Sequence, residues 1–278
     1  MKIKDSIEDK TPLISTDNEK EVDNKINVEA IQPWSNVILK VKIPDLMFQE
    51  LEKVYDYTMK DWKSFGDQLV GAVSEEPEVT LEIMKKFPDW IKFCLDAVQN
   101  FVRFQTVQNF VAEPEKIEEF FKDETLARIT TMWFVNQKPY EYNPAHIHTN
   151  CKISAVCYLK TPKKQIKDRK SHYKSDGKIT FINNTGTDPH FSNAQCSFKP
   201  VPGDMYIFPA LQHHMVWPYR STDPDDLRVS LSFNADVTQK SVLKQQEKQQ
   251  EKMYEEMKKM KESENDKSAD VSNINKSG

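Results

Sequence analysis

From Leu126 onward the apolar residues of this chain change period. Before that point they recur at helical spacing. After it they fall in short segments bounded by turn residues: "LARITTMWFVNQ", "CKISAVCYLK", "GKITFIN", "GDMYIFP" and "LRVSLSFNADV". Helices first and many short strands afterwards predict an antiparallel sandwich or barrel carrying N-terminal helices.

The helical part is legible in two stretches. "PDLMFQELEKVYDYTMKDW" opens on Pro44 and Asp45, which suit a helix start, and Leu46, Met47, Leu51, Val54, Tyr55 and Met59 return at helical spacing. "TLEIMKKFPDWIKFCLDAVQNFVRF" continues the pattern with a break expected before Pro88. Ahead of both, "NVILKVKIP" (36–44) alternates as a strand does. Residues 1–25 are polar and aperiodic and read as a disordered lead. The expected organisation is that lead, one domain over 26–240 (helical support 44–122, strands 126–237), and a charged tail over 241–278. In the tail "SVLKQQEKQQEKMYEEMKKMKE" is helix-forming, with Met253, Met257 and Met260 on one side, and "SENDKSADVSNINKSG" reads as disordered.

Composition removes several classes. A net charge of −4 gives no global case for nucleic acid or membrane binding. No run of 18 apolar residues exists, and the first residues lack an apolar leader core, so neither a membrane helix nor a secretory signal is expected. Four cysteines without a CxxC pair point to a reducing, cytoplasmic setting. One local exception is "KTPKKQIKDRKSHYKSDGK" (160–178), whose lysines outnumber its acids. It reads as a solvated loop, or as a patch for an anionic substrate or a nucleic acid.

All six histidines lie in the strand region. His146 and His148 are two apart, so a strand would present both imidazoles on one face, as a metal-ligand pair or as packing side chains. Later come His213 and His214, then Arg228 in an apolar strand. Arg228, Ser230 and Ser232 share one face there and Val229, Leu231 and Phe233 the other. An arginine on such a face needs an anion or water, and it binds carboxylates through two parallel hydrogen bonds.

His146-Ile-His148, a distal histidine and Arg228-Val-Ser230, in that order, resemble a 2-oxoglutarate- and Fe(II)-dependent dioxygenase. "MWFVNQKPYEYNPAHIHTNCKISAVCYL" and "PGDMYIFPALQHHMVWPY" resemble segments of a subgroup of oxygenases and hydroxylases common in phage genomes. "DQLVGAVSEEPEV" resembles an element of its helical part. The likeness spans about residues 30–237. It implies a double-stranded β-helix, a cupin-like jelly-roll barrel with the metal at its mouth. It also implies a phage-borne enzyme in a host cytoplasm.

By that resemblance His146, His148 and His214 hold Fe(II), with His213 one residue out of register. Arg228 and Ser230 hold the far carboxylate of 2-oxoglutarate, and Asn136 assists the co-substrate or a ligand. Tyr140, Tyr142, Trp133 and Trp217 are candidates for the pocket wall. Oxygen and 2-oxoglutarate are consumed, succinate and CO2 released, and a substrate C–H bond hydroxylated, with a protein or peptide side chain such as proline as the expected target. The chain departs from the family at one position: His148 stands where most members carry Asp or Glu. Either three neutral histidines bind the metal, or a carboxylate such as Glu141 replaces His148. Two other readings are a catalytically inactive jelly-roll binding module and a three-histidine cupin dioxygenase without 2-oxoglutarate. The methionine side of the tail helix could pack on the barrel or meet a partner.

Overall fold

Two antiparallel sheets face each other, and helices cover the outer side of the larger one. The computed structural model describes residues 37–111, 113–166, 174–183 and 194–274, with residues 259–274 as backbone only. The expected lead, and Lys167, Arg169, Lys170, His172 and His190, lie outside the described residues.

The strands are β1 (Leu39–Lys42), β2 (Thr125–Gln137), β3 (Asn143–His146), β4 (Ile153–Lys160), β5 (Ile179–Ile182), β6 (Gln195–Phe198), β7 (Asp204–Pro209), β8 (His214–Val216) and β9 (Arg228–Gln239). The larger sheet has the order β1-β7-β4-β9-β2 and the smaller β3-β8-β5-β6. Every described strand pair is antiparallel. This is the two-sheet architecture of a jelly roll, as expected.

Alternation explains the layering. In β9 the odd residues Val229, Leu231, Phe233 and Ala235 join Met132 and Phe134 of β2 in the main core. The helices α1 (Asp45–Thr58) and α3 (Pro88–Asn109) close that core with Leu51, Val54, Trp90, Cys94, Val98 and Phe101. Each large apolar side chain buried there contributes roughly 1.5–3 kcal/mol relative to exposure. The opposite face of the sheet looks toward the smaller one. Val156 and Tyr158 of β4 meet Ile179, Phe181, Phe208 and Val216 in a second, aromatic cluster.

The helix ends follow local chemistry. Pro88 occupies the first turn of α3, where its missing N–H costs nothing, and α2 (Leu81–Lys86) ends just before it. The Thr80 hydroxyl accepts the Ile83 N–H at the start of α2. A further helix, α4 (Pro114–Lys122), precedes β2.

The tail differs from expectation. Helix α5 (Lys240–Ile274) runs on through the segment after Ser263 that reads as disordered. That segment holds no proline or glycine before Gly278, the two residues that most strongly break a helix. Met253 and Met257 are solvent-exposed and do not pack on the barrel. Among the described residues no helix is long and apolar enough to cross a membrane.

Candidate metal and co-substrate site

Strand β3 pairs with β8 so that His146 lies directly opposite His214. His148 follows just beyond the end of β3, where its backbone N–H donates to the Ala210 carbonyl at 2.9 Å. The ring centroids of His146 and His214 are 4.2 Å apart, those of His146 and His148 5.3 Å, and those of His148 and His214 5.2 Å. One nitrogen from each ring falls within 4.8 Å of the other two.

Backbone carbonyls orient two of the rings. Nδ1 of His146 lies 2.7 Å from the Pro144 oxygen, and Nδ1 of His214 2.9 Å from the Gln212 oxygen. A carbonyl accepts only, so each Nδ1 carries the proton and each Nε2 presents a lone pair. Trp133 lies against the His148 ring, and Phe181 and Phe208 lie against that of His214. Burial pushes His148 down to about 4 and His214 down to about 3, with the neighbouring His146 adding to both. Burial lowers His146 too. All three are therefore neutral near pH 7, the form that ligates a metal.

Glu141 does not enter this group. Its carboxylate oxygens accept the backbone N–H groups of Ser74, at 3.0 Å, and Lys138, at 2.7 Å. Among the described residues the cluster is three histidines. His213 is exposed one residue away and lies outside it.

The cluster opens into a cavity of about 420 Å³. The even residues of β9 supply one wall, Arg228, Ser230, Ser232 and Asn234. Arg228 is 2% exposed; one terminal N–H donates to the Gly177 carbonyl at 3.3 Å, and its Nε has no partner. The Tyr158 hydroxyl is equally buried and equally unpartnered, and the guanidinium carbon sits 5.9 Å from that ring's centre. Burial pushes the Tyr158 hydroxyl up, so it stays protonated and can donate. Ser230 is the register partner of Tyr158 and lines the same cavity. Unpaired buried donors of this kind cost about 1–3 kcal/mol each unless an acceptor fills the space between them. A carboxylate supplies that acceptor, so the residues fit a dicarboxylic co-substrate.

The other expected residues are placed unequally. Trp133 lines the cavity, stacked on Phe65 with centroids 5.2 Å apart. Asn136 lies on the helix-facing side of β2, where its side-chain N–H reaches Met59 Sδ and Glu75, and it does not line the cavity. Tyr140 and Tyr142 are exposed, and Trp217 donates to Thr180 at 2.9 Å; none of the three lines it. The basic segment is partly engaged, with Lys164 paired to Asp223 at 2.8 Å. Tyr158 was missed from sequence, although its alternation with Ser154 and Val156 already puts it on their face.

Residues 131–234 match the family model described as "Putative 2OG-Fe(II) oxygenase". No curated protein matches the chain. Similar solved structures include a Pseudomonas putida prolyl-4-hydroxylase, 15% identical over 72% of this chain and 93% of that one, with a TM-score of 0.40. A 2OG-Fe(II) oxygenase family oxidoreductase from Burkholderia pseudomallei is 13% identical, covering 71% and 84%, with a TM-score of 0.42. A viral collagen prolyl hydroxylase from Paramecium Bursaria Chlorella virus-1 is 12% identical, covering 71% and 94%, with a TM-score of 0.36. The three histidines, Arg228 and Ser230 all fall within the residues that match this 2OG-Fe(II) oxygenase family model.

Proposed function

We propose that the protein is an Fe(II)- and 2-oxoglutarate-dependent oxygenase that hydroxylates a C–H bond of a protein or peptide side chain. One observation carries the reading: three neutral imidazoles and a buried arginine whose Nε has no acceptor share a single cavity.

In this reading His146, His148 and His214 hold Fe(II) through Nε2. Arg228, with Tyr158 and Ser230 beside it, takes the carboxylate of 2-oxoglutarate remote from the metal. The bound pair supplies oxygen activation, with loss of CO2 and release of succinate. The chain's own part is placement. Phe208, Phe181 and Trp133 pack against the His214 and His148 rings, and the carbonyls of Pro144 and Gln212 fix two ring tautomers. The three-histidine cupin reading gives Arg228 and Tyr158 nothing to bind, which disfavours it.

Anaerobic titration tests this. Fe(II) and then 2-oxoglutarate, added to the metal-free protein, should raise a weak visible charge-transfer band. Iron bound without that band overturns the 2-oxoglutarate assignment, and no iron bound overturns the metal site.

A further inference from the structure

The cavity has a second polar wall that neither metal nor co-substrate uses. Residues 75–79 run alongside β2. The Asn136 N–H donates to the Glu75 carbonyl, the Phe134 N–H to that of Pro77, and the Val79 N–H to that of Met132, all at 2.8–2.9 Å. Val79 turns into the helix-side core, so alternation sends Glu76 to the cavity side. Glu76 is 2% exposed, and its Oε1 has no hydrogen-bond partner. Asn143, at the start of β3, lines the same cavity, and its Oδ1 is likewise buried and unpartnered.

The two oxygens lie close together. A Cβ built on Gly71 would stand 2.0 Å from Asn143 Oδ1 and 3.4 Å from Glu76 Oε1. Those two distances put the buried acceptors at most about 5.4 Å apart, side by side next to Gly71 on the cavity wall, with neither paired to a donor of the protein. The charges nearby do not balance Glu76. Glu141 is close enough to add its own repulsion to the burial that raises Glu76 to about 7. Lys138 is taken by Glu75 at 2.6 Å.

We propose that Glu76 and Asn143 form a recognition slot for a basic side chain of the substrate, an ammonium or a guanidinium group. This rests on the oxygenase reading above and names the substrate class for it. A cation with several N–H bonds satisfies both oxygens and offsets the acidic charge. A neutral amide leaves the buried carboxylate uncompensated. A prolyl ring, the target expected from sequence, has no N–H and leaves both acceptors empty. The cavity then holds opposite polarity at its two walls, Arg228 for an anion and Glu76 for a cation.

The test is calorimetric titration of the full-length protein, loaded anaerobically with Fe(II) and 2-oxoglutarate. The probes are capped tripeptides, Gly-Arg-Gly and Gly-Lys-Gly, with citrulline and norleucine versions as uncharged shape controls. A basic peptide should bind saturably, at least about tenfold more tightly than its control, and Glu76→Gln should remove that preference. Equal binding of peptide and control, no binding of either basic peptide, or an unchanged preference in Glu76→Gln overturns the slot. The wild-type comparison alone decides if that variant misfolds. The charge-transfer band is read on the same sample. A band without peptide preference sinks the slot and spares the oxygenase; preference without a band does the reverse.

Discussion

The Nε2 atoms of His148 and His214 lie 3.4 Å apart on nearly parallel rings, with an interplanar angle of 7°. Neither sequence position alone specifies this. It arises because β8 carries His214 inward while the chain leaving β3 is held to Ala210. Two lone pairs that close repel unless a cation or a shared proton lies between them. His214→Ala should therefore abolish Fe(II) binding, while His213→Ala should leave it intact. Equilibrium dialysis reads both, and the reverse pattern would move the site by one residue.

Arg228→Lys should raise the concentration of 2-oxoglutarate needed for half-maximal turnover by about 10- to 100-fold, because one ammonium cannot reproduce two parallel N–H donors. Tyr158→Phe should raise it by about tenfold without loss of melting temperature, since the hydroxyl has no partner within the protein. Unchanged co-substrate dependence in both variants would remove this wall from the site.

Glu76 makes stability depend on pH. Burial, with Glu141 adding, raises its carboxyl from 4.5 to about 7 in the folded chain. Between those values the folded state holds a proton that the unfolded state has released. Stability contributed by the protonated carboxyl therefore falls as pH rises from about 4.5 to about 7 and is level above that. Melting curves of the ligand-free protein across this window should show the decline, and Glu76→Gln should flatten it. Parallel slopes in the two proteins would refute the assignment.

Gly71→Ala should destabilise the fold by about 1–3 kcal/mol, because the added methyl meets Asn143 Oδ1 at 2.0 Å. Asn143→Ala removes that atom, so the double variant should recover much of the loss. Additive losses in denaturant titrations would mean that the two side chains do not meet.

Deleting residues 246–278 should leave metal binding and folding intact. The removed part of α5 exposes Met253, Tyr254 and Met257 rather than burying them. A fall in melting temperature on truncation would place the tail in the core.

The sequence made the long elements legible and three of the short ones obscure. β2, β4 and β9 are long enough to show alternation, and Pro88 marks a helix boundary by itself. β3, β6 and β8 span only three or four residues, too few to show a period, so the strand nature of Asn143–His146 came from pairing with β8. The three histidines and Arg228 were visible because few residue types serve their chemistry. Asn136 was visible too, but β2 is buried on both faces there, and sequence does not say which parity meets the cavity. Glu76 was hidden for another reason. Residues 67–79 have little regular period of their own, and Glu76 gains its place only when they lie along β2.

Strand β9 interleaves two jobs at a spacing of one residue. Residues 229, 231, 233 and 235 hold the helices to the sheet, and residues 228, 230, 232 and 234 look into the cavity. The two sets share a backbone and face opposite sides of the sheet. Within the cavity set, Ser232 and Asn234 can therefore change with the ligand while the fold is held by the other set and Arg228 and Ser230 keep their carboxylate-binding character. A lineage diverging in what it binds would carry that history at the outer teeth of a comb, changing at positions 232 and 234 and quiet at the positions between.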